Sequence, residues 1–205
     1  MEKNNTREEI LRVALDLFSV NGYESTSISQ IADAVGVKKA SIYSHFANKQ
    51  EIMDTLVEMV LDGYYKHSIV TNADWDNPEF VKDKFNLTVD DYIKFLQDHI
   101  SYICHNPYVS KGRKLFVIEQ FCNEKLSRLQ TKVNYEDILS YFTGMMKFLI
   151  RCNVLKEADT EIMAAHCALP ITVWINLCDR EPEREAEVME LVERHIKQFF
   201  KIYGK

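Results

Sequence analysis

An all-α fold of about nine helices is predicted for this 205-residue chain by three observations. Apolar residues recur at three- and four-residue steps through most of the chain, the spacing of amphipathic helices. Only 6 Gly and 4 Pro are present, few turn formers for this length. No segment shows the apolar–polar alternation of a half-buried strand, and no internal repeat occurs. Hydrophobic residues make up 46% and charged residues 27%, so long disordered stretches are not expected.

The elements follow in order. Thr6-Arg7-Glu8-Glu9 has the form of a capping box, opening a helix over about 7–20 with Ile10, Leu11, Ala14, Leu15, Leu17 and Phe18 on one face. Asn21-Gly22 closes it. Thr26 or Ser27 caps a short second helix that buries Ile28, Ile31, Ala32 and Val35 and stops at Gly36. A third short helix, about 38–45, is expected to bury Ala40, Ile42 and Phe46. Asn48 with Glu51 starts a longer helix, to about 69. Residues 71–78 read as a loop, with Pro78 as a possible first residue of the next helix. Thr88 caps a helix to about 105, which Asn106-Pro107 breaks; helices over about 110–124, 134–152, 160–179 and 183–202 complete the chain, with 123–131 ambiguous.

The two short helices joined at Gly36 have helix-turn-helix spacing over residues 27–45. In that motif one helix crosses the DNA backbone and the next enters the major groove, which is wide enough for a helix. The third helix would expose Lys38, Lys39, Ser41, Tyr43, Ser44 and His45, suitable partners for phosphates and base edges. Net charge is -6, but residues 1–50 hold six basic and six acidic groups, and residues 36–50 hold three lysines, His45 and no acid. A locally positive face suffices, because phosphate attraction is short-ranged in salt. Ile31, Ala32, Ile42 and Phe46 are core positions in this reading. Taken singly, Tyr43 fits a surface aromatic and Lys38 and Lys39 a solvated face; their joint placement carries the DNA reading.

The segment 6–56 resembles the TetR family of bacterial regulators. The matching residues are Ile10-Leu11, Ala14 and Phe18; Asn21-Gly22-Tyr23 and Thr26-Ser27-Ile28; Ile31-Ala32 and Val35-Gly36-Val37; Ser41-Ile42-Tyr43, His45-Phe46, Asn48-Lys49 and Ile52. The resemblance implies a homodimer on a palindromic operator, usually a repressor, released by a small molecule bound in the C-terminal domain. Position by position it implies phosphate contacts for Tyr43 and Lys49, backbone contacts for Thr26 and Ser27, and base or phosphate reading for Lys38, Lys39, Ser41 and Ser44, with His45 near phosphate. One departure stands out: the family often has a capping Ser after Gly-Val, where this chain has Lys38. A cation at a positive helix end is expected to turn toward a phosphate.

The expected division is a DNA-binding domain at 1–47 and an effector-binding and dimerisation domain at 48–205. Trp174, Val188, Leu191, Val192 and Phe199 on the last two helices are the candidate dimer interface, the alternative being an ordinary intrachain core. Aromatic and methionine residues are dense from 92 to 148, and Phe95, Tyr102, Phe116, Phe121, Tyr141, Met145 and Trp174 are the candidate lining for a mostly apolar effector. A hydrophobic core explains many of them equally well. Pro170 inside a helix, one turn before Trp174, suggests a kink that opens a cavity.

No nucleophile elbow, phosphate loop or paired metal ligands occur, so neither catalysis nor a cofactor is expected. The five cysteines sit singly, and His99, Cys104, His105, His166 and Cys167 lack metal-ligand spacing. The first 20 residues are charged throughout and no run of 18 apolar residues exists, so a cytoplasmic protein without membrane contact is expected. Two other readings stay open: a DNA-associated scaffold whose C-terminal domain binds a protein, and a helical enzyme without a recognisable motif.

Overall fold

The computed structural model describes residues 2–67, 74–77 and 88–205. Ten α-helical segments are present among them: α1 (Glu2–Asn21), α2 (Ile28–Val35), α3 (Lys39–Tyr43), α4 (Lys49–His67), α5 (Val89–His105), α6 (Pro107–Glu119), α7 (Glu124–Thr131), α8 (Asp137–Arg151), α9 (Thr160–Arg180) and α10 (Glu185–Tyr203). A π turn (Lys132–Glu136) runs α7 into α8, which makes nine continuous helices among the described residues. No strand occurs there beyond a single bridge between Leu155 and Gly204. The all-α expectation is met.

The predicted caps hold where they are local. Ser27 and Gln30 form a complete capping box on α2. Gly36 closes α2 at φ 78°, a left-handed conformation that costs an L side chain about 1–2 kcal/mol. Asn48 accepts from the Glu51 amide at 2.9 Å, Thr88 from the Asp91 amide at 3.1 Å, and Asp159 caps α9. The sequence boundaries shift elsewhere. α1 starts at Glu2, so Thr6 lies inside the helix and is not its cap. Asn106-Pro107 separates α5 from α6 by starting the new helix at once: Asn106 is its cap and Pro107 its first residue, where a missing N–H costs nothing. The expected helix over 110–124 is thereby moved to Pro107–Glu119, and the ambiguous 123–131 is helical. Ala40 is exposed, because the short α3 turns only Ile42 inward. Residues 68–73 and 78, which include the expected end of α4 and Pro78, fall outside the described residues.

The chain divides into two compact units, one of 1–66 with 106–130 and one of 67–105 with 131–205. The compactness boundary therefore differs from the expected division at 47/48: α4, α6 and α7 share the first unit with the short helices. The first unit packs α1 against α2 and α6. Its core joins Phe18, Ile31, Ile42 and Phe46 to Ile52, Leu56 and Leu115, all nearly inaccessible. In the second unit α9 packs against α8, α10 and α5. α9 is apolar and long enough to cross a membrane by composition (mean hydropathy 1.3). Here Met163, Ala164, Cys167, Ala168 and Ile171 are buried in the fold, as in the core helix of a folded domain.

Candidate functional site

The first candidate site is the surface around α2 and α3. Lys38 leaves the α2–α3 turn in extended conformation with no side-chain cap, exposed, and Lys39 beside it is exposed as well. Tyr43 is 49% exposed, unusual for an aromatic at the edge of a packed core. Ser27 and Ser44 are exposed, and Ser41 and His45 half-buried. The Ser44 hydroxyl donates to the Ser41 carbonyl at 2.7 Å, which leaves its oxygen as an acceptor. Ile42 anchors the helix from behind. Cations and hydroxyls thus share one short helix and the turn before it, without a carboxylate among them.

Two expected contacts are placed otherwise. Thr26 is buried, and its hydroxyl donates to the Gly22 carbonyl at 2.9 Å. It closes the α1–α2 turn and offers no side-chain surface. Lys49 is turned inward. Its ammonium donates to the carbonyls of Tyr23 (2.9 Å) and Thr26 (3.1 Å) and lies 4.0 Å from the centre of the Tyr23 ring. A cation satisfied by two carbonyls and an aromatic face is a clasp on the turn. The start of α4 is also internally satisfied, since the Ala47 amide donates to Glu51.

The sequence reading missed Glu119. This carboxylate at the end of α6 is buried and accepts from the Tyr23 amide at 2.7 Å. The α1–α2 turn is therefore held through Tyr23 by Lys49 and by a residue 96 positions away. Nothing local in the sequence signals that pairing.

The second candidate site is a cavity of about 450 Å³ within the second unit. Of the expected lining, Phe95, Tyr141 and Met145 are there. Phe116 is not: it belongs to the core of the first unit. Phe121 is 89% exposed, at the turn after α6. Tyr102 stacks on His67 instead, with ring centres 4.1 Å apart. Trp174 meets His195 edge-on at 5.5 Å, and neither it nor Pro170 lines the cavity. The suggested kink does not open this space. In place of Trp174 stands Trp75, from the segment read as a loop, with Tyr92, Phe148 and Phe200. Trp75 lies on Gly144 of α8, where a Cβ would collide with the indole. Arg151 fixes that segment by donating to the Trp75 carbonyl (3.0 Å) and pairing with Asp76 (2.6 Å).

The candidate dimer residues divide. Val188, Val192 and Phe199 are buried inside this chain, so they have no surface to offer a second copy. The intrachain alternative holds for them, because α10 turns that face onto α9 and α5. Leu191 and Trp174 are half-buried. The exposed apolar residues of these helices are Ile162 and Val173, each 61% exposed, and Ile202. On α9, Ile162, His166, Leu169 and Val173 follow helical spacing along one stripe; on α10, Leu191, His195, Gln198 and Ile202 do the same. His166 and His195, 5.7 Å apart, join the two stripes.

The comparisons with known proteins agree with this picture. Residues 10–56 match the family model described as bacterial regulatory proteins, tetR family. The chain is 39% identical over 59 residues to the transcriptional regulator TcmR of Streptomyces glaucescens, covering 29% of this chain and 26% of that protein. It is 33% identical over 94 residues to IcaR, the negative transcriptional regulator of the biofilm operon icaADBC in Staphylococcus aureus, covering 46% and 45%. The aligned stretches thus span less than half the length of these relatives. In fold the similarity runs along the whole chain. A tetR-family regulator from Mesorhizobium loti superposes with TM-score 0.64 at 16% identity, covering all of both chains. SmeT, the repressor of a Stenotrophomonas maltophilia multidrug efflux pump, superposes with TM-score 0.64 at 20% identity, covering 100% of this chain and 93% of that one. By its helix-turn-helix segment and its fold, the chain belongs to the tetR family of bacterial regulatory proteins.

Proposed function

We propose that the protein is a sequence-specific DNA-binding transcriptional regulator that acts in the cytoplasm as a homodimer on a palindromic operator. The observation that carries this is the α2–α3 face, where Lys38, Lys39, Tyr43 and Ser44 stand exposed on a helix anchored by Ile42. Lysines neutralise phosphates and set the salt dependence; the hydroxyls of Ser27, Ser41 and Tyr43 add directional bonds to phosphates or base edges. One reader gives weak discrimination, and a two-fold pair doubles it. The exposed stripes of α9 and α10, with Ile162, Val173 and Ile202, are the surface we assign to the partner copy.

The apolar cavity supplies the sensing half. A ligand changes DNA affinity only by its different affinity for the DNA-competent and DNA-incompetent states of the dimer. We assign the protein to repressors that the ligand releases, as the family resemblance implies, with residues 48–205 as the effector and dimer region in function. SmeT has been solved with triclosan bound, an apolar chlorinated aromatic. The test is selection of operator sequences from a random duplex library by the purified protein. Recovery of an inverted repeat supports the proposal; recovery of no sequence preference rejects it.

A further inference from the structure

The cavity of the second unit is specific about what it takes, and this inference rests on the reading of that cavity as the sensing site. We infer that its ligand is a flat, uncharged, fused-ring molecule carrying an oxygen acceptor, and that Tyr92 donates to that acceptor.

Three observations point there. First, the wall is aromatic: Trp75, Tyr92, Phe95, Tyr141, Phe148 and Phe200 all line the space. Rings pair edge-to-face or offset with a gain beyond area burial, which favours an aromatic guest over an aliphatic chain of equal volume. Second, the rings form a wall, not a cage. Trp75 meets Tyr141 edge-on at 5.2 Å and lies tilted against Phe148 at 5.7 Å, so these faces are covered by one another. A cation is held where several faces surround an empty centre. No Asp or Glu lines the cavity to neutralise one, and the charged side chain that does, Lys205, is a cation bonded to Asn153. Third, the Tyr92 hydroxyl is buried with no hydrogen-bond partner among the described residues. Burial keeps the phenol protonated, with its acidity pushed far below normal, next to Cys167 and Tyr141. The other hydroxyl of the wall near it, that of Thr88, already donates to Asp91 at 2.6 Å. An unsatisfied buried donor is costly, and a small rotation of the ring onto an acceptor in the cavity removes that cost.

The experiment uses two probes of one shape, 9-fluorenone with a carbonyl and fluorene with a methylene in its place, and decanoate as an aliphatic anion. The full chain carries Trp174→Phe, so that Trp75 is the remaining one of the two tryptophans and reports binding by quenching. Fluorenone is expected to bind about ten-fold more tightly than fluorene. Tyr92→Phe is expected to abolish that preference while fluorene binding stays unchanged. Equal binding of the two probes in wild type, or a preference that survives Tyr92→Phe and is lost in Tyr141→Phe, overturns the assignment to Tyr92. Displacement of fluorenone by a lower concentration of decanoate overturns the ligand class, and so does the absence of quenching by either fluorene-type probe. Operator affinity of the same variants without probe reports the regulator reading separately, so failure of one is not mistaken for failure of the other.

Discussion

The ammonium of Lys49 sits 2.9 Å from the carbonyl oxygen of Tyr23 and 4.0 Å from the centre of that residue's ring. It thereby ties the start of α4 to the turn that leads into α2. The bond to Thr26 at 3.1 Å extends the clasp to the last turn residue before Ser27. Lys49→Ala is expected to destabilise the protein by about 1–2 kcal/mol, from the lost charge-assisted bonds and the cation–ring contact. Urea denaturation followed by circular dichroism measures this; an unchanged midpoint contradicts the clasp.

Glu119 holds the same turn from α6. Its carboxylate accepts from the Tyr23 amide in a buried setting, so Glu119→Ala leaves a donor unsatisfied and is expected to cost about 1–3 kcal/mol. Glu119→Gln keeps an acceptor oxygen at that place and is expected to lose distinctly less. If the two variants melt alike, the hydrogen bond is not what Glu119 contributes.

Val173 tests the assigned partner surface. It is 61% exposed in the single chain, so Val173→Asp removes no packing from the fold. Its thermal stability as a monomer should be unaffected, whereas its sedimentation at micromolar concentration should shift from dimer to monomer. A variant that remains dimeric places the contact elsewhere.

His195 gives the fold a pH dependence. Burial lowers its basicity from the ordinary 6.5; His166 nearby acts in the same direction, and the bond to the Cys167 carbonyl opposes it. In the unfolded chain His195 takes a proton near pH 6.5, but in the folded chain only at lower pH. The unfolded state therefore binds more protons in that window, and stability falls as pH drops below about 6.5. His195→Gln should flatten this part of the pH–stability curve. An identical slope in wild type and variant assigns the effect to other groups.

What was legible in the sequence is what is decided locally. Ser27 with Gln30, Gly36, Asn48 with Glu51, and Asp159 mark helix ends through bonds that reach no further than three or four residues. The exposed Lys38, Lys39 and Tyr43 were legible too, because helical spacing against Ile42 sets which side faces water. The rest depends on distant partners. The inward turn of Lys49 needs the carbonyls of Tyr23 and Thr26; Glu119 needs an amide 96 residues away. Phe116 looks like Phe95 in sequence, yet one sits in the core of the first unit and the other lines the cavity. Trp75 lies in a turn with no periodicity to announce it, and only Gly144 and Arg151 bring it to the wall. Val188, Val192 and Phe199 show that a wide apolar helix face is consumed by its own chain before a partner is considered.

The central claim is that the α3 face, and not the start of α4, meets the DNA phosphates. Fluorescence anisotropy of wild type, Lys39→Ala and Lys49→Ala on the selected operator, over a range of salt concentrations, tests it most directly. Each lost phosphate contact reduces the slope of log affinity against log salt by about 0.9. Lys39→Ala is expected to lose that amount while Lys49→Ala, measured below its melting range, keeps the wild-type slope. A Lys39→Ala slope equal to wild type, with the loss in Lys49→Ala instead, would contradict the account.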